Sequence, residues 1–251
     1  ANDIVSRIVQ NEIGSSFNRE AIKAQAVAAY TYIKRQNALS ATPTFILASA
    51  ASDKVKECVN EVAGKGIYYN GELIQSVFCA STAGYSSSSV NVWGEDFPYL
   101  RSVKCVFDEQ YDPNYGLTKV FTSNEVMLKV LKETGIELSG DPAGWFKILS
   151  WVDTVYVGEL SIGGKTSYTN GGNEIKITGR VFREKIMGIS ELRSAAFTVS
   201  YDNNRDTFTF TTYGYGHGAG MSQNGANILA NNQGYGYVDI LKHYYIGVEV
   251  K

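Results

Sequence analysis

A chain of 251 residues with 44% hydrophobic content can bury roughly 70–75% of the surface its unfolded form exposes. With only 4 prolines and no charge-block tract to act as a linker, one domain over residues 1–251 is expected. Lys and Arg number 23 against 25 Asp and Glu, a formal charge of −2, which gives phosphate backbones and anionic lipid no general attraction, so no nucleic-acid partner is expected. Charged residues make up only 19%, while 25 glycines and 17 tyrosines supply neutral hydrogen-bonding and ring surface suited to a sugar. No apolar run approaches the roughly 18–20 residues of a membrane span, and Ala1 opens onto a polar stretch without a signal-peptide core. No membrane span is therefore expected in this chain. The odd set Cys58, Cys79 and Cys105, without CxxC spacing, gives neither a disulfide framework nor a zinc ribbon.

In chain order, Ile4, Val5, Ile8 and Val9 recur at helical spacing until Gly14-Ser15-Ser16 breaks the run. Asn18 can cap a second, long helix whose stripe of Ile22, Ala26, Ala29 and Ile33 is narrow and mostly small, which suits close packing at the centre of the fold. A further helix starts near Asp53 and stops at Gly64 and Gly66. Asn70-Gly71 between Ile67-Tyr68-Tyr69 and Leu73-Ile74 predicts a hairpin with a type I′ turn, and a strand follows through Val77 to Cys79. Thr122-Ser-Asn-Glu125 is a capping box ahead of a helix. Val152 to Val157, Leu160 to Ile162, Ile175 to Ile177, Phe197 to Val199 and Thr207 to Phe210 read as an antiparallel set, interrupted by a short helix from Arg180 to Met187. Helices from about Ser222 and Val238 close the chain. Strands and helices in separate runs give an α+β class: a helical hairpin and central long helix packed with antiparallel sheet, in a single domain.

Candidate chemistry concentrates in a few places. Gly214, Gly216 and Ala219 formally satisfy a dinucleotide pattern, but helices follow where a parallel strand with an acidic residue is needed. Such a loop can bring bare backbone against a ligand and fix the orientation of one imidazole, His217, which reads as functional in preference to structural. His243 reads as a helix-end surface residue, and Ser222 as a helix N-cap in preference to a partner of His217. The loop Ser81 to Ser89 is either a flexible connection or, beside Tyr85, Trp93 and Tyr99, a sugar-contacting one. Glu20 lies in the first turn of the long helix, where exposed N–H groups already account for a carboxylate. Glu12 lies near a helix C-terminus, where the helix field disfavours negative charge, and such a carboxyl suits a general acid.

The run Glu12-Ile-Gly-Ser-Ser-Phe followed by Glu20-Ala-Ile-Lys-Ala-Gln-Ala-Val-Ala-Ala-Tyr-Thr-Tyr32 resembles the opening signature of the stage II sporulation protein D (SpoIID) family, related to the LytB amidase enhancers. Ser81-Thr-Ala-Gly-Tyr, Val92-Trp-Gly-Glu with Pro98-Tyr-Leu, Thr178-Gly-Arg with Leu192-Arg-Ser, and Gly216-His-Gly-Ala-Gly-Met-Ser-Gln223 with Gly225-Ala226 and Tyr244-Tyr-Ile-Gly247 follow in the family's order. The resemblance implies an extracytoplasmic, cell-envelope-associated lytic transglycosylase. Its substrate would be peptidoglycan glycan strands stripped of peptides, during engulfment in endospore-forming bacteria. A non-catalytic glycan-binding module that recruits or enhances a cell-wall amidase is the alternative it implies.

A single carboxyl suffices for the transglycosylase, whereas hydrolysis needs a pair at about 5–5.5 Å or 6.5–9.5 Å. The turn from Glu12 to Phe17 looks like the helix-end Glu-Ser turn of lysozyme-like transglycosylases, which ranks Glu12 first and Glu20 second as catalytic residue. Lys23, Gln25, Ser81, Thr82, Gly84, Tyr85, His217, Ser222 and Gln223 are the implied substrate-binding residues. Glu12, Lys23 or Gln25, the Ser81 to Tyr85 loop and the His217 loop are expected to line one cleft. Some family members carry zinc after the long helix, but Pro43 to Asp53 holds neither Cys nor His, so neither metal nor other cofactor is expected. Tyr30 stands where the family usually has Arg, and Cys79 where His is common.

Overall fold

The computed structural model describes residues 2–251 and is α+β. Its residues group into two compact units, each assembled from separate stretches of chain: Ala1–Ala80, Asp96–Val103 and Ala219–Lys251 in the first, Ser81–Glu95 and Lys104–Gly218 in the second.

The first unit is built around the long helix Arg19–Ala38, against which helices Asn2–Glu12, Asp53–Glu61, Gln223–Gln233 and Tyr237–Tyr244 all pack. Small side chains permit this crowding: Ala21, Ala24, Ala26, Ala28 and Ala29 are all buried. Asn18 caps the helix, its side chain accepting from the Glu20 N–H at 2.9 Å. Thr31 ties the helix to the sheet, since its hydroxyl donates to the Val27 carbonyl at 2.7 Å and accepts from the Ile67 N–H at 3.0 Å. Ile67–Tyr69 pairs antiparallel with Glu72–Leu73 through Asn70 and Gly71, whose φ values of 49° and 84° are those of the expected type I′ turn. On its other edge Ile67–Tyr69 pairs with the final strand Glu249–Val250. Phe78–Cys79 pairs in parallel with Met221–Ser222, a non-local pairing that local sequence does not signal.

The second unit centres on an antiparallel sheet in the order Phe197–Asp202, Thr207–Tyr213, Tyr115–Thr122. The alternation in Thr207-Phe208-Thr209-Phe210 sends both phenylalanines into a core shared with Val126, Val130, Leu160 and Phe182. Thr122 and Glu125 form the expected capping box, which starts the amphipathic helix Ser123–Thr134. The strands foreseen as one antiparallel set divide, among the described residues, into separate small sheets. Tyr115–Thr122 went unforeseen because only Phe121 along it is buried, so the run shows no alternation. The short helix expected from Arg180 to Met187 is present as an α-turn, Gly179–Val181, that passes into a π-helical stretch, Phe182–Met187.

The stretch from Val152 to Val157 is corrected from one strand to a hairpin, Trp151–Val152 against Tyr156–Val157. It turns at Asp153 and Thr154, whose φ values are 46° and 74°. A β-branched residue rarely adopts that conformation, and distant bonds impose it. The Asp153 carboxylate accepts from the Ser87 hydroxyl and the Ser88 N–H at 2.8 Å each, and from the Asn91 amide at 2.9 Å.

Candidate active site

In the first unit, Glu12 ends its helix and is half-buried. One carboxylate oxygen accepts from the Gln223 side-chain amide at 2.9 Å. Among the described residues it makes no ion pair. Gln223 is placed by the cap in front of it: the fully buried Ser222 hydroxyl accepts from the Gly225 N–H at 2.8 Å, as the cap reading expected. Gln25, on the long helix, is 1% exposed, and neither atom of its amide meets a hydrogen-bond partner among the described residues.

Glu20 is differently placed. One oxygen accepts from the Tyr237 N–H at 2.8 Å, and the other pairs with Lys23, whose ammonium also reaches Glu61 at 3.2 Å and lies 5.7 Å from the Tyr237 ring centroid. Burial works against the Lys23 charge, but Glu20 and Glu61 together hold its pKa above the ordinary value. Both side chains are therefore engaged in holding the helix terminus.

In the second unit, the stretch from Ser81 to Ser89 is a rigid, largely buried segment, and the flexible-loop reading is set aside. Ser81, Thr82 and Ala83 are each at most 2% exposed. The buried Asp108 carboxylate accepts from the Thr82 hydroxyl at 2.6 Å and from the Gly84 N–H at 2.9 Å. Burial pushes the Asp108 pKa up to about 6; the bonds from Thr82 and Gly84 pull it down, and the charge of Asp112 raises it. The Asn114 amide donates to the Ser81 hydroxyl at 3.2 Å and accepts from the Arg193 guanidinium at 2.9 Å. The Tyr85 carbonyl accepts from the Tyr156 hydroxyl at 2.9 Å. Gly214 passes so close to the Thr82 carbonyl that a Cβ could not fit, and its φ is 77°.

His217 lies in the same unit with its ring 5.0 Å from that of Trp93. Its neighbours are fixed on both sides: the Gly216 N–H donates to the Arg193 carbonyl at 3.0 Å, and the Gly218 carbonyl accepts from the Ser87 N–H at 2.8 Å. His217 borders a cleft of about 300 Å³ together with Asn91, Tyr156, Glu159, Arg180 and Glu184. Arg180 donates through Nε to both oxygens of Glu184 at 3.1 Å and through Nη1 to the Val92 carbonyl. His243 lies in the last turn of the helix Tyr237–Tyr244, as expected, but half-buried against the rings of Tyr235 and Tyr244 and not on the surface.

The structure thus brings Glu12, Ser222 and Gln223 together in the first unit, and the Ser81 to Tyr85 segment, Arg193 and His217 together in the second. Sequence reasoning missed Asp108, Asn114 and Asp153. Their partners lie 26, 33 and 66 positions away, so no local spacing marks them. Among the described residues, no cluster of three or more His, Cys, Asp or Glu side chains is arranged to hold a metal ion.

Comparison with known proteins places the chain in a family. A family model described as stage II sporulation protein, SpoIID, matches residues 1–69. Stage II sporulation protein D of Bacillus subtilis (strain 168) is 33% identical over 99% of this chain and 73% of its own length, and that of Bacillus amyloliquefaciens matches to the same extent. An amidase enhancer of Bacillus subtilis (strain 168) is 29% identical over 96% of this chain, which covers 39% of that protein. The chain belongs to the stage II sporulation protein D family.

Proposed function

We propose that the protein is a lytic transglycosylase that cleaves peptide-stripped peptidoglycan glycan strands and leaves 1,6-anhydro-muramic acid ends. The observation that supports this most is the setting of Glu12: half-buried, accepting one hydrogen bond from the neutral amide of Gln223, and not taken up by an ion pair among the described residues. Such a carboxyl can exchange a proton. As the acid it protonates the glycosidic oxygen, and the bond from that oxygen to C1 of the muramic residue breaks. As the carboxylate it takes the proton from the 6-hydroxyl of the same residue while that oxygen bonds to C1, so no water is consumed.

In this reading Gln223 orients Glu12, and Gln25, whose buried amide has no partner among the described residues, is the proposed polar contact from the long helix. Gly84, Tyr85 and His217 are the proposed glycan contacts of the second unit, and the buried Ser81 and Thr82 act behind them through Asn114 and Asp108. Lys23 acts through Glu20 and Glu61, and Ser222 through its cap. The site of action is extracytoplasmic, in cell-wall remodelling during sporulation, with a cell-wall amidase as partner. No helix among the described residues is long and apolar enough to cross a membrane.

Mass spectrometry of peptide-free glycan incubated with the protein tests the reaction. Anhydro-ended fragments are expected from the parent, and Glu12→Gln should form them about 10²–10⁴-fold more slowly with glycan binding retained. The second reading, a glycan-binding module that enhances an amidase, draws on the amidase-enhancer relative. Glycan binding with no cleavage, together with stimulation of an added amidase, would establish it instead.

A further inference from the structure

The second unit holds another cavity, of about 450 Å³, which shares no lining residue with the cleft at His217. Ala83 contributes to its wall, so it adjoins the Ser81 to Tyr85 segment. Its other walls are rings and small polar groups: Trp151, which is 48% exposed, Tyr115 and Tyr213, and the side chains of Glu109, Thr154 and Thr198. Tyr115 and Tyr213 pack edge to face with centroids 4.9 Å apart, which fixes their faces and leaves the indole the exposed one.

The hairpin that carries Trp151 is held in an unfavourable shape. Asn-Gly adopts a turn with two positive φ values at little cost, but here the residues are Asp153 and Thr154, at 46° and 74°. Strain of this kind persists only where surrounding bonds over-determine it, and it gathers at ligand clamps. The bonds are those of Asp153 to Ser87, Ser88 and Asn91. They hold the hairpin so that Trp151 and Thr154 line this cavity.

We propose that this cavity is a carbohydrate subsite in which a neutral N-acetylhexosamine residue stacks on the Trp151 indole and hydrogen-bonds Glu109 and the two threonine hydroxyls. A pyranose has an apolar face that suits an indole and equatorial hydroxyls that suit carboxylate and hydroxyl partners. Glu109 also sets the sign of the preference, because its charge repels a sugar bearing a carboxylate. The subsite therefore takes the uncharged residue of a glycan that alternates neutral and carboxylated sugars. This rests on the glycan-cleaving reading above and adds to it a subsite formed, Ala83 apart, by residues outside the family-like motifs.

Calorimetric titration of the full chain with N-acetylglucosamine tetramer and with peptide-free glycan, in the Glu12→Gln background to prevent turnover, tests it. Trp151→Ala should weaken binding of both about tenfold, and Trp151→Tyr should recover most of the loss. Melting temperatures for both variants separate lost stacking from lost folding. Equal affinity in the Trp151→Ala protein, or a loss that Trp151→Tyr does not recover, overturns the subsite while leaving the glycan reading in place. Failure of the protein with Trp151 intact to bind either ligand overturns both.

Discussion

The two glutamates on either side of Gly14 differ in what already engages them. Glu20 has a backbone N–H and a lysine, so Glu20→Gln should cost about 0.3–1 kcal/mol through the helix terminus, with cleavage reduced only modestly. Thermal melts beside product analysis check this; a folded Glu20→Gln protein without activity would move the catalytic role to Glu20. Asp108 gives a prediction of opposite character. Its pKa is raised from an ordinary 3.8 to about 6, chiefly by burial, so the folded state resists its ionisation. The stability it contributes is fully present below pH 3.8 and is lost as pH rises to about 6, in all about 3 kcal/mol. Asp108→Asn can still accept from Thr82 or Gly84 but cannot ionise. Its melting temperature should therefore fall less than the parent's between pH 4 and pH 6, and parallel curves would refute the assignment.

At the scale of elements, what the sequence made legible depended on whether the cause was local. The Asn18 and Thr122 caps, the Asn70-Gly71 turn and the Ser222 cap act over two to three residues, and each lies where its spacing indicates. The Asp153 turn and the parallel pair of Phe78–Cys79 with Met221–Ser222 are imposed by remote partners, and no window of sequence contains both sides. The same division holds at the site. Glu12, the proposed acid, stood out by its helix end, whereas Asp108 and Asn114 could be found only once the chain was folded around them. The Ser222 cap links an element to the chemistry, since it starts the helix whose first residue holds Glu12. Ser222→Ala should destabilise the protein by about 0.5–2 kcal/mol and also lower cleavage by loosening Gln223. A stability loss with unchanged turnover of the folded fraction would show that Gln223 needs no cap to be positioned.

For the whole molecule, the interleaving of the two units has a consequence in time. Every residue of the second unit lies before Ala219, whereas the first unit takes in Ala219–Lys251. Glu12 receives its hydrogen bond from a residue 211 positions later, and Ile67–Tyr69 waits for Glu249–Val250 at the far end. A chain truncated after Gly218 should therefore keep the protected amides of the Phe197–Asp202 and Thr207–Tyr213 pair in hydrogen exchange while losing those of Arg19–Ala38. Equal protection of that helix in the truncated and full chains would refute the dependence. During synthesis, the carboxylate proposed to cut the glycan emerges 211 residues before the amide that holds it. An order of assembly thus withholds the proposed reaction: until Gln223 has emerged and folded against it, Glu12 lacks the bond that positions it.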